Sequence, residues 1–149
     1  MKIKAKASIQ ILQPVELVYQ SIVMPDKMAS YFIAQGSGPI EANKTITWKF
    51  PEFEDVFPVT GIQLKENEYI SFDWSGGAEG MMVEIYLEKY GQDFTVVHVI
   101  EHEFENDEEG IERALRQTAG WANFLACMKA SLEYGINLRT GAFDFMKEY

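Results

Sequence analysis

The sequence is poor in cysteine, in positive charge and in long apolar runs, and each shortage removes a class of protein. Its one cysteine, Cys127, has no partner for an intrachain disulfide, so a reducing cytoplasm is the expected setting. Bases number 13 against 23 acids, for a formal net charge of −10. Nucleic acid requires a basic stripe to meet phosphate, and anionic membranes attract basic segments, so neither is an expected partner. The balance favours solubility, and a basic partner over an acidic one. No stretch approaches the ~20 apolar residues of a membrane span. The basic start, Met1-Lys2-Ile3-Lys4-Ala5-Lys6, is not followed by the apolar segment of a signal peptide. Repeats, low-complexity tracts and linkers are also lacking, so residues 1–149 read as one domain. A domain of this size buries roughly 70% of its unfolded surface, enough for a core without disulfides or metals. No catalytic set, metal or cofactor is expected. His98 and His102 stand about 13 Å apart on an extended strand, too far for one ion held at ~2.1 Å by each.

What the chain does have is alternation. Ile3, Ala5, Ala7, Ile9 and Ile11 are separated by Lys4, Lys6, Ser8 and Gln10, the period of a strand with one wet face. Pro14 suits the first turn of a short helix carrying Leu17, Val18 and Ile22. Met24-Pro25-Asp26-Lys27 leads into a second short helix, and Gly36-Ser37-Gly38-Pro39 is loop. Further alternating runs carry Ile46, Trp48 and Phe50, then Ile70, Phe72 and Trp74, then Val83, Ile85 and Leu87. Between them, residues 56–64 also read as a strand, with Pro58 and Gly61 blurring its facing. A turn at Tyr90-Gly91-Gln92-Asp93 opens the last run, Phe94 to Phe104. Short turns between successive strands predict an antiparallel meander.

The period then changes. Asn106-Asp107-Glu108-Glu109 offers an N-cap and an acidic first turn. Ile111, Ala114, Leu115, Thr118, Trp121, Ala122, Leu125, Met128 and Leu132 follow at spacings of three and four, a helix of about seven turns with Gly135 as its stop. A helix about 10 Å wide cannot cover six or seven flat strands, but a curved sheet can wrap around it. The space left over is either filled or lined by the inward aromatics Trp48, Phe50, Phe72, Trp74 and Trp121.

This order resembles the helix-grip fold of the START-like (SRPBCC) superfamily, an α+β architecture. More closely it resembles the branch named for activators of heat-shock-protein-90 ATPase. Three segments carry the likeness: Ile11, Pro14, Val18 and Tyr19 with Met24 to Met28; Val83, Ile85 and Leu87 with Val96, His98, Ile100 and His102; and a third that is the most specific. It runs from Gln117, Thr118, Gly120 and Trp121 through Phe124, Leu125, Met128, Lys129, Leu132 and Glu133 to Gly135, Ile136 and Leu138. The chain departs from the family at Tyr31-Phe32, where a tryptophan is common, and in a hairpin reduced to Gly91. The resemblance implies a curved antiparallel sheet around a long C-terminal helix, two short helices after the first strand, and a cavity between sheet and helix.

The expected binding set is Trp48, Phe50, Phe72, Trp74, Val83, Ile85, Val96, His98, Ile100, Trp121, Leu125 and Met128, with a small apolar molecule as ligand. On the last strand the expectation is that Val96, His98 and Ile100 face inward, and that Glu101, Glu103 and Glu105 form a solvated acidic edge. His98 would then orient a ligand or serve as a core hydrogen-bond partner. Cys127 reads as packing. Gly120 marks a close helix–sheet approach, room for a ligand beside Trp121, or plain tolerance. Met81 and Met82 read as pocket lining or ordinary core. The tail with Phe143, Phe145 and Tyr149 either folds back over an apolar groove or packs in a homodimer. The competing functions are an interaction module of cochaperone type, for which the sequence offers no support of its own, and a cyclase- or hydrolase-type enzyme.

Overall fold

A computed structural model describes residues 1–76 and 82–147. Its strands are β1 (Ile3–Ile11), β2 (Gln35–Gly36), β3 (Thr45–Lys49), β4 (Val56–Lys65), β5 (Tyr69–Asp73), β6 (Met82–Tyr90) and β7 (Phe94–Phe104). They form a seven-stranded sheet in the order β1-β7-β6-β5-β4-β3-β2, with every neighbour antiparallel. Helices α1 (Val15–Val23) and α2 (Pro25–Met28) follow β1, and the long α3 (Glu108–Tyr134) follows β7. The chain has the expected α+β helix-grip architecture.

Local chemistry sets the element ends. The Asp107 carboxylate accepts the Gly110 N–H at 2.7 Å, and Glu108 and Glu109 lie in the positive first turn of α3. Gly135 ends the helix at φ 66°, a left-handed conformation that costs a glycine little. Pro14 precedes α1 with φ −67°. Val15, Val18, Tyr19 and Ile22 of α1 are buried, whereas Leu17, expected on the same side, turns outward.

The sheet's inner face is made by the alternations of β1, β3, β5 and β6. Ala5, Ile11, Trp48, Phe50, Ile70, Phe72, Val83, Ile85 and Leu87 are all buried. The phase of β7 is opposite to the expected one. Thr95, Val97, Val99 and Glu101 point inward, and Val96, His98 and Ile100 lie on the outer face. Register explains this, because residues paired across antiparallel strands share a face. Inward Ile11, Ile9, Ala7 and Ala5 pair with Thr95, Val97, Val99 and Glu101. Inward Leu87, Ile85 and Val83 pair with Val97, Val99 and Glu101. Both neighbours therefore dictate the same phase. At the end of β7, Ala5 pairs with Glu101 but Ile3 pairs with Phe104, and the shift returns Phe104 to the core beside Ala5 and Ala114. Met81 and Tyr149 lie outside the described residues.

Candidate ligand pocket

The interior is filled at one end and open at the other. Phe72, Val83, Ile85, Leu125 and Met128, all expected to line a cavity, are each at most 1% exposed and form one continuous core with Trp48.

The open end is a pocket of about 380 Å³. Its helix wall is Gln117, Gly120, Trp121 and Asn123; its sheet wall is Phe50, Phe57 and Trp74. Phe32, after α2, with Glu52 and Phe53, after β3, makes a third side. Arg139, Phe143 and Met146 of the tail make the fourth. The tail thus folds back over an apolar groove, one of the two roles expected of it. Of the expected binding set, Phe50, Trp74 and Trp121 line this pocket; the others lie in the filled core or, for Val96, His98 and Ile100, on the outer face.

Gly120 accounts for part of the opening. A Cβ built there meets nothing within 4 Å, so the residue does not serve a close helix–sheet approach. The residue is exposed at the pocket wall beside Trp121, which agrees with either of the other two expected roles, room for a ligand or plain tolerance. Trp121 and Trp74 lie with centroids 5.2 Å apart at 36°, and Phe32 and Phe124 meet Trp121 at 6.2 and 5.1 Å.

Beneath the rings sits Glu101, 0% exposed. Its carboxylate accepts Trp121 Nε1–H at 2.8 Å, Trp74 Nε1–H at 2.9 Å and the Gln117 side-chain amide at 2.9 Å. A buried carboxylate persists when donors satisfy its oxygens. Here the three donors are residues that line the pocket, so Glu101 fixes the pocket floor without forming its surface. The expectation that Glu101 belongs to a solvated edge is corrected; Glu103 and Glu105 are exposed.

A second buried polar pair stands at the rim. Arg139 Nη2 donates to Glu52 Oε1 at 2.6 Å, with side chains 15% and 3% exposed. The guanidinium also lies over Phe32, Phe50 and Phe143, 5.4, 5.3 and 5.0 Å from their centroids. Nothing in the sequence marks this pair, because its partners stand 87 residues apart and belong to no periodic pattern. Glu101 had a signal: counting back from the three-residue turn after Tyr90 sets Val97, Val99 and Glu101 opposite the apolar face of β6.

His98 belongs to an outer hydrogen-bond line. Its Nδ1 is 2.7 Å from Ser8 Oγ and its Nε2 is 2.9 Å from Glu88 Oε2, in a groove of about 590 Å³ that also touches Lys6 and Tyr86. Serine, histidine and carboxylate in a row invite comparison with a hydrolytic triad. That chemistry also requires donors for an oxyanion, and strand N–H groups lie in the sheet plane, engaged in the ladder. Nearby, Tyr69 and Tyr86 donate to Glu84, and His102 Nε2 lies 2.7 Å from Glu84 Oε1. Burial pushes the Glu84 carboxyl up, but these hydrogen bonds outweigh it and hold the group below its ordinary value. Burial raises the Cys127 thiol, against a smaller downward pull from Arg139. A protonated, buried thiol is a packing group. Among the described residues, no cluster of three or more His, Cys, Asp or Glu is placed to hold a metal ion, and no helix is long and apolar enough to cross a membrane.

Comparison with known proteins agrees with the fold. A Staphylococcus saprophyticus protein of known structure is 27% identical, with 92% of this chain and 96% of that one covered and a TM-score of 0.81. The Aha1 dimer of Colwellia psychrerythraea shares 20% identity over 89% of this chain and 98% of that one, at a TM-score of 0.76. A protein from the dynemicin biosynthetic locus shares 19% over 89% of this chain and 48% of its own, at 0.77. At those identities the last two speak for the fold alone. No curated protein matches the chain. The family model described as "Activator of Hsp90 ATPase homolog 1-like protein" matches residues 13–133, and the chain belongs to that family.

Proposed function

We propose that the chain is a binding module for a small aromatic or otherwise apolar molecule, held in the pocket between Trp74, Trp121 and the tail. The observation that carries this reading is the opening beside Gly120, a pocket of about 380 Å³ next to a core of fully buried side chains. Its walls are largely aromatic, with a few polar groups at the edge, the usual composition of a small-ligand site. Helix-interior glycine costs about 1 kcal/mol relative to alanine, a cost that room for a ligand would offset. The lone buried thiol of Cys127 suits a reducing, cytoplasmic setting.

Thermal unfolding in the presence of flavonoids, fatty acids, sterols and simple naphthalenes tests the proposal. A ligand at a hundred times its dissociation constant should add about 2.7 kcal/mol of stability. Trp74 and Trp121 line the pocket and Trp48 does not, so binding should also change tryptophan emission. No shift in either measurement across all four classes would sink the reading.

A further inference from the structure

We propose that the ligand is a planar aromatic molecule carrying an acceptor oxygen at its edge, received by Arg139; this rests on the binding reading above. The planar part follows from the walls. Trp74 and Trp121 spend their indole N–H groups on Glu101, so they offer a ligand ring surface and no donor. Rings facing rings favour offset stacks and edge contacts.

The acceptor follows from a surplus of donors at the opposite wall. Arginine has five N–H donors and no acceptor. Arg139 uses Nη2 on Glu52, and its Nε is buried with no acceptor among the described residues. Three rings hold the guanidinium in place, so little freedom remains to be lost when a ligand oxygen arrives. Glu52 already balances the charge, so the ligand need not be an anion. A ketone and a carboxylate share the chemistry required.

Three probes with one ring system separate the possibilities: 2-ethylnaphthalene, 2-acetylnaphthalene and 2-naphthoate. Titrations are followed by the indole N–H resonances of Trp74 and Trp121. The expected result is that one or both oxygen-bearing probes bind roughly tenfold tighter than 2-ethylnaphthalene. A gain confined to naphthoate identifies a carboxylate; a gain for both identifies any acceptor oxygen. Arg139→Met alone strands a buried Glu52, so the comparison uses the double variant Glu52→Met/Arg139→Met, in which the preference should fall within twofold. Equal binding of all three probes to the native chain, or a preference that survives in the double variant, overturns the inference while leaving the binding reading intact. Absence of binding by all three probes overturns the inference; the binding reading falls with it only if flavonoids, fatty acids and sterols also fail to bind.

Discussion

The two ends of the grip use one helix and one sheet yet finish differently. Under the second half of α3, Leu125 and Met128 belong to one core with Phe72, Val83 and Ile85, each at most 1% exposed. Under its middle, Gly120 contributes no side chain, and two tryptophans are tied to a carboxylate below them. The filled end is stabilised by area removed from water. The open end is organised by directional bonds that keep large rings from collapsing into the gap. A cavity in a helix-grip domain is therefore a local property, set by which residues hold the rings.

This contrast can be broken by substitution. The largest effect is expected at the filled end: Phe72→Ala should cost about 4 kcal/mol in urea unfolding, from lost burial plus an unfilled hole. A loss under about 1 kcal/mol would mean that this end is not close-packed. Next is Glu101→Leu, which leaves two indole N–H groups and an amide without their acceptor. Each such donor is worth about 1 to 3 kcal/mol, but pocket water can reach Gln117, so a net loss of roughly 3 kcal/mol is expected. The Trp74 and Trp121 indole resonances should move together; movement of neither would contradict the shared carboxylate. A smaller, opposite change is expected at Gly120. Gly120→Ala should stabilise by about 1 kcal/mol, whereas Gly120→Leu should abolish probe binding in a folded protein. Unchanged binding in the leucine variant would place the ligand elsewhere.

The smallest effect lies outside both ends. The lowered Glu84 carboxyl contributes stability that is fully present above the ordinary carboxylate value near pH 4.3 and is lost as pH falls through the lower folded value. Glu84→Gln should flatten this acid limb of the stability curve. An unaltered limb would assign it to other groups, Glu133 first, since its carboxyl is also held low: burial raises it, and the Leu12 N–H and Lys129 outweigh that.

Much of the filled end was legible in the sequence. Strict alternation in β1, β5 and β6 named Ile11, Phe72, Val83 and Ile85, and the three-and-four spacing named Leu125 and Met128. The strand β7 misled because both of its faces are apolar in the middle: Val97 and Val99 on one, Val96 and Ile100 on the other. A glutamate at the end of one face tipped the reading toward water. Hydropathy could not report that three donors converge on that glutamate, since they come from β5's end and from α3. The fourth pocket wall was invisible for a related reason. Arg139 and Phe143 follow Gly135 in a stretch with no period, and the partners of Arg139 are Phe32, Phe50 and Glu52, far away in the chain.

The tail that makes this wall takes no part in the sheet's ladder. Among the described residues it is held by an ion pair and by ring contacts of Arg139. Scaffold and selectivity are accordingly separable in this molecule. The 14 residues after Gly135, redesigned together with Glu52, are therefore the natural place to graft a new preference onto an unchanged sheet and helix.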